Sequence, residues 1–150
     1  ETLQLNVCLF FLTSGYTLFE DEMPGETLNK KKILLVFAYS SRNAINVAKT
    51  PPLGIAYIAS FLEEAGHEVH VADMQVDESL SFLSSISQYD ILGVSTLSPY
   101  VALSYDIVRK AKAVKPNILT VMGGPHVSAL PKECLEENSE LDIAVSSEGE

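Results

Sequence analysis

Residues 30–41 read KKKILLVFAYSS: three lysines, then five consecutive apolar side chains, Ile33-Leu34-Leu35-Val36-Phe37. An apolar run of this length without alternation reads as a strand buried on both faces, the mark of a parallel sheet. Downstream, Pro51-Pro52 ends a loop and pre-sets the first turn of a helix. Ile55, Ile58, Ala59 and Leu62 then repeat at helical spacing, Glu63 and Glu64 face water, and Gly66 is a natural cap. Val69 and Val71 mark a second strand that ends at Asp73, and a short helix is expected around Leu80 to Ile86. Ile91 to Ser95 is the third strand, and Tyr100 to Val114 a longer helix with Val101, Tyr105, Val108 and Ala111 or Lys112 along one side. Leu119 to Met122 is the fourth strand, Pro131 to Glu137 another short helix, and Ile143-Ala144-Val145 the fifth strand.

Strands alternating with helical segments argue for an α/β fold, a doubly wound five-stranded parallel sheet of the flavodoxin-like (Rossmann-like) kind, with strand order 2-1-3-4-5. In such sheets ligands sit beyond the carboxyl ends of the strands, at the switch point between the first and third. The sequence stops at Glu148-Gly149-Glu150, before any helix after the fifth strand. The domain, residues 30–150, is therefore expected to be truncated at its C-terminus, to miss its last helix, and to leave one flank of the sheet uncovered.

Residues 1–29 stand outside this pattern. They hold the aromatic positions Phe10, Phe11, Tyr16 and Phe19, an acidic Glu20-Asp21-Glu22 and a Pro24-Gly25 break, and read as an N-terminal extension or short hairpin. Across the 150 residues, 47% are hydrophobic and 20% charged, which excludes a disordered chain and suits one ordinary domain. The formal net charge of −10 is concentrated at the ends: residues 1–26 hold five acids and no base, residues 133–150 seven acids and no base. No basic stripe exists for nucleic acid. Cys8 and Cys134 form no CxxC pair, so neither a disulfide framework nor a zinc ribbon is indicated. The run Val7 to Leu12 is too short to span a bilayer, and no membrane partner is expected. The expected location is the cytoplasm.

Three connections fall at the ligand edge. The first, Ala38 to Thr50, has no glycine, so it offers neither a dinucleotide turn nor a P-loop. The connection after the third strand, Ser95-Thr96-Leu97-Ser98-Pro99, is rich in hydroxyls. The one after the fourth is Gly123-Gly124-Pro125-His126, where adjacent glycines let a ligand approach the backbone; taken alone, a glycine pair is more often just a tight turn.

The segments PPLGIAYIASFLEEAGHEVHVAD, GVSTLS, MGGPHVSALPKE and the terminal EGE together resemble the N-terminal cobalamin-binding domain of cobalamin-dependent radical SAM enzymes. Their order and spacing carry the resemblance, over roughly residues 31–150. Of the motifs DxHxxG, SxL and GG used by the broader cobalamin class, Ser95-Thr96-Leu97 matches the second and Gly123-Gly124 the third. The first is absent, its place taken by Tyr39-Ser40-Ser41-Arg42-Asn43. The resemblance implies base-off cobalamin without a histidine ligand, for methyl transfer or a related radical reaction of a longer parent enzyme. Ser95 would hydrogen-bond a ring nitrogen of the nucleotide tail and Leu97 would pack on that ring. Gly123 and Gly124 would leave room for the tail, and the loop from Tyr39 to Thr50 would lie under the corrin. Thr96, Pro125, His126, Glu148 and Gly149 complete the candidate cofactor-binding residues, with no catalytic residue and no protein metal ligand.

In the parent, S-adenosylmethionine and a 4Fe-4S cluster would belong to a downstream radical SAM domain. That centre needs three cysteine thiolates at CxxxCxxC spacing, which two cysteines cannot supply. His67 and His70 are three apart on or beside a strand and tend to opposite faces, which argues against a joint metal site. His126 lies on the ligand side, where it contacts the tail or only caps the next helix. The alternative reading is a degenerate domain of this fold that binds no cobalamin and serves as an interaction module. A signalling receiver, which shares the fold, would need an acidic cluster after the first strand, and Ala38 to Asn43 holds no acid.

Overall fold

The computed structural model of the chain describes residues 30–43 and 50–146; the expectations for residues 1–29 and for Glu148, Gly149 and Glu150 lie outside them. The run KILLVF forms β1 (Lys32–Phe37), with Ile33 to Val36 all buried. It pairs in parallel on one side with β2 (Glu68–Asp73) and on the other with β3 (Ile91–Ser95). Then follow β4 (Leu119–Gly123) and a two-residue β5 (Ile143–Ala144), giving an all-parallel sheet in the order β2-β1-β3-β4-β5. This is the doubly wound order expected from the sequence.

The faces of the sheet are covered unequally. Leu34, Val36, Leu92, Val94 and Met122 point into the larger core. They meet Ile107, Val108 and Ala111 of a long helix (Val101–Val114), Ile86 of a 3-10 turn (Ser81–Gln88), and Val127 and Cys134 of two short helices (Pro125–Ala129 and Pro131–Glu137). Ile33 and Leu35 point the other way, onto Ile55, Ala59 and Leu62 of the helix Leu53–Glu64. In chain order the four α-helices are α1 (Leu53–Glu64), α2 (Val101–Val114), α3 (Pro125–Ala129) and α4 (Pro131–Glu137). On the α1 face, Leu119, Val121, Ile143 and Val145 are only half-buried. Each fully buried aliphatic side chain contributes about 1.5–3 kcal/mol, so the larger core dominates the stability.

Three details differ from the sequence reading. Ile58 is not on the buried line of α1 but 52% exposed. The buried face of α2 is Ser104, Ile107, Val108 and Ala111, so Val101 and Tyr105 sit at its margin. The segment after β2 closes as a 3-10 turn, within which Ser84 and Ser85 donate their hydroxyls to the carbonyls of Ser81 and Phe82 and so compete with a regular helix.

The short β5 is held by a polar stitch. Thr120 donates both its N–H and its hydroxyl to Asp142 Oδ2, at 2.8 and 2.9 Å, and Lys112 Nζ of α2 reaches the same oxygen at 2.7 Å. Burial works against the charged carboxylate, but Lys112 and Thr120 outweigh it and hold Asp142 below the usual carboxylate range. A depressed folded pKa stabilises the fold above the unfolded carboxylate pKa, and that stability is lost as pH falls through the folded value. Asp142→Ala is expected to lower stability by roughly 1–3 kcal/mol at neutral pH, toward the lower end because the carboxylate is partly screened by solvent. In thermal melts the gap between the variant and the parent protein should shrink as pH drops below 4, and a gap that stays constant with pH would contradict this assignment.

Candidate functional site

Parallel registration brings the strand ends to one edge. Phe37 stands opposite Asp73 and Ser95, and Ser95 opposite Gly123. Beyond the last paired residues the ladder continues: Ala38 N–H donates to Ser95 O at 3.1 Å, Thr96 N–H to Gly123 O at 3.0 Å, and Val145 N–H to Met122 O at 2.8 Å. The connections after β3 and β4 therefore leave the sheet side by side.

Within that edge the candidate residues divide by what their side chains do. Ser95 is half-buried and its hydroxyl has no hydrogen-bond partner among the described residues. Strand alternation puts it on the α1 face with Ile91 and Gly93. Thr96, fully buried, points to the opposite face, where its hydroxyl accepts from Ser104 of α2 at 2.8 Å and donates to Leu97 O at 3.2 Å. What Thr96 offers toward the edge is backbone. Leu97 is exposed, and Pro125 is the exposed first residue of α3. His126 Nδ1 lies 3.0 Å from Ser98 Oγ and bridges the two connections. Glu148 and Gly149 lie outside the described residues.

The two glycines are glycines for different reasons. Gly124 has φ +100°, and a Cβ there would stand 2.8 Å from Thr96 O and 3.1 Å from Thr96 N. Its lack of a side chain is demanded by the chain itself. Gly123 has ordinary extended backbone, and a Cβ would lie 3.7 Å from Val145 Cβ. The chain therefore tolerates a Cβ there, in ordinary contact with Val145. Gly93 lies under Leu35, whose Cδ2 would be 2.8 Å from an added Cβ. Leu35 thus covers Gly93, which leaves Ser95 and Gly123 as a floor of small residues at the strand ends on the α1 face, while Leu92, Val94 and Met122 fill the other.

The connection after β1 is fastened where a DxHxxG loop would begin. Ala38 and Tyr39 are buried, and the Tyr39 ring packs on Tyr100 with centroids 5.3 Å apart. Burial, then Tyr39 and Glu78, pushes the Tyr100 hydroxyl pKa up. Ser41 N–H donates to Glu78 Oε2 at 3.0 Å, and Gln75 Nε2 donates to Thr50 O at 2.8 Å, pinning the entrance of α1. The sequence reading placed Tyr39 in this loop and Tyr100 at a helix start, but missed their contact and the role of Gln75. Each acts across more than 20 residues of chain, and no local pattern signals such a contact.

Among the described residues, no group of three His, Cys, Asp or Glu side chains could hold a metal ion, and no helix is long and apolar enough to cross a membrane. His67 accepts from Lys31 N–H, and His70 bonds Tyr89 OH at 2.8 Å, so each of these histidines has its own structural partner.

A family model described as the B12 binding domain matches residues 46–150. An uncharacterized methyltransferase, PH0819, of Pyrococcus horikoshii is 34% identical over 125 residues, covering 79% of this chain and 27% of the relative. The anaerobic magnesium-protoporphyrin IX monomethyl ester cyclase of Cereibacter sphaeroides is 31% identical over 117 residues, covering 75% of this chain and 19% of that protein. A cytidylyl-2-hydroxyethylphosphonate methyltransferase of Streptomyces wedmorensis is 28% identical over 148 residues, covering 83% and 28%. The chain thus spans less than a third of the length of each of these relatives. The structure of OxsB, a cobalamin-dependent S-adenosylmethionine radical enzyme with aqua-cobalamin and S-adenosylmethionine bound, superposes with a TM-score of 0.64 at 18% identity, over 93% of this chain and 21% of OxsB, which is a likeness of fold. With the family model matching most of its length, the chain belongs to the B12-binding domain family.

Proposed function

We propose that this domain holds cobalamin with its nucleotide tail lying on the floor of Ser95 and Gly123, in the base-off state and without a histidine ligand from this chain. The observation that carries the reading is the Ser95 hydroxyl, half-buried and unpartnered among the described residues on the face where the floor is open. The hydroxyl is within reach of water in the free domain, and a ring nitrogen of the tail is suited to take the place of that water. The missing side chain of Gly123 and the exposed Leu97 would supply room and apolar contact for a flat ring.

The loop that would face the cobalt carries no imidazole. Residues 38–50 contain no His, Cys, Asp or Glu, and the first part of the loop is tied down by Tyr39, Tyr100 and Glu78. His126 is held toward Ser98, on the connection after β4. These residues would position the corrin and shield one side of it. When bound, the cobalt supplies the group-carrying chemistry, and the protein supplies position and surroundings.

We further assign the domain to a longer parent enzyme of the radical SAM class that performs methyl transfer or a related radical conversion, with S-adenosylmethionine and a 4Fe-4S cluster held by its downstream domain. The lengths and names of the relatives support this, as does the cysteine count, since Cys8 and Cys134 are too few to hold such a cluster here.

Purified protein mixed with hydroxocobalamin and desalted should retain the corrinoid, and its visible spectrum should show loss of the benzimidazole ligand. A folded sample that retains none, or that keeps the base-on spectrum, would sink the reading. Ser95→Ala should weaken binding by roughly 0.5–1.5 kcal/mol, the net value of one hydrogen bond.

The glycines give a second comparison. Gly123→Val should abolish retention while the melting temperature is kept, because its Cβ meets only ordinary contacts. Gly124→Ala should instead destabilise the fold by roughly 1–3 kcal/mol, the usual strain of a side chain at positive φ. Equal loss of stability in both variants would show that the floor is structural.

A further inference from the structure

The outer edge of β2 lacks the usual protections of a sheet edge. β2 is the terminal strand, six residues long, and pairs only with β1 in an unbroken register. Glu68 N–H donates to Lys31 O and Met74 N–H to Phe37 O, which fixes the direction of the peptide groups between them. In a parallel ladder successive residues turn to opposite sides, so Glu68, His70 and Ala72 face β1. Val69 and Val71 turn outward, with N–H and C=O unpaired among the described residues. Proteins commonly blunt such an edge with proline, lysine or a bulge, and EVHVAD has none of these. Its first charge, Glu68, is taken by Lys32 at 2.8 Å.

A depression of about 380 Å³ continues from the end of this strand, lined by the apolar Val71, Val76 and Phe82 and the acidic Asp73 and Asp77. Val71 is 46% and Val76 86% exposed, a large apolar surface for so short a segment. The two carboxylates are held in place by the chain. Asp73 accepts from Gln75 N–H at 2.9 Å, and Asp77 from the hydroxyl and N–H of Ser79 at 2.8 and 2.9 Å. The Ser79 bonds keep the Asp77 carboxyl below the usual carboxylate range. Neither acid forms an ion pair among the described residues, so both charges stand without a cation.

We infer that the edge of β2 binds an extended segment of a partner protein in which apolar residues alternate with Lys or Arg. The backbone of that segment pairs with the outward groups of Val69 and Val71, as a strand added to the sheet. An apolar side chain enters the depression among Val71, Val76 and Phe82, and a cation meets Asp73 and Asp77. Charge decides between occupants: a second copy would bring one net charge of −10 against another, whereas a cationic segment finds two carboxylates that lack a partner cation. The surface lies across β1 from Ser95 and Gly123, so it is independent of the cobalamin reading.

The test uses the 150-residue chain, with a short synthetic peptide of alternating valine and lysine as the probe and the same peptide with glutamate for lysine as the control. In hydrogen exchange followed by NMR, the Val69 and Val71 amides should exchange freely in the chain alone and slow several-fold with the lysine peptide, but not with the control. Val71→Pro removes an outward N–H without touching the β1 ladder, a change that an edge strand tolerates, and should abolish binding. Asp73→Asn combined with Asp77→Asn keeps the side-chain oxygens that Gln75 and Ser79 donate to; it should weaken binding several-fold and flatten its salt dependence. Parent-like affinity in either the Val71→Pro or the double Asn variant would overturn the assignment. So would equal binding of the glutamate peptide, absence of binding by the folded parent chain, protection of Val69 and Val71 before any peptide is added, or a dimer formed through this edge.

Discussion

The parallel pairing of β1 with both β2 and β3 is the constraint on which the rest of the molecule depends. A strand with partners on both sides and side chains buried on both faces cannot be reached by a hairpin, so each neighbour must be joined through a crossover. The crossover to β2 uses α1 on one face, and later crossovers use α2 and the short helices on the other. The connections leaving β1 and β3 therefore part in opposite directions, and the crevice between them opens at the carboxyl edge. The position of the ligand site follows from this before any particular side chain is considered.

The same constraint explains why the two faces differ. Leu92, Val94 and Met122 build a core that needs no ligand, whereas on the opposite surface Leu35 covers Gly93 and only Ser95 and Gly123, at the strand ends, leave it low. Because side chains alternate strictly along a strand, large and small residues one position apart separate into a packed face and an open one. The polar groups follow that division. Thr96 turns inward and ties the connection to α2 through Ser104, while the hydroxyl of Ser95, its neighbour, has no hydrogen-bond partner among the described residues. In this arrangement one residue of the SxL motif holds the scaffold, and another is available to a ligand.

Rigidity at the edge comes from contacts distant in sequence. Tyr39 against Tyr100, Glu78 on Ser41 N–H, Gln75 on Thr50 O and His126 on Ser98 link four connections into one rim. Such a rim suits a bound group that brings its own chemistry, since a site of this kind has to hold shape and exclude alternatives more than it has to move protons. The perturbed groups agree with that role: burial within the rim raises the Tyr100 hydroxyl, and at Asp142 the raising effect of burial is outweighed by the structural stitch at β5, which lowers it.

The sequence by itself determined the strands, their parallel pairing and the family. Continuous apolar runs such as Ile33 to Phe37 have one physical reading, and the order of GVSTLS and MGGPHVSALPKE carried the resemblance that the B12-binding match bears out. Ser95, Gly123 and Gly124 were legible as a group because they end neighbouring strands. Their separate roles were not. Whether a glycine is required by its own backbone, as Gly124 is, or would accept a Cβ in ordinary contact, as Gly123 would, depends on atoms brought near it by distant parts of the chain. Ile58 was misplaced for a related reason: helical spacing gives the apolar arc of α1, but only the right-handed crossover decides which edge of that arc meets the sheet and which overlooks the open flank. Periodicity is a property of neighbouring residues, while burial is a property of what packs against them, and only the tertiary structure supplies the second.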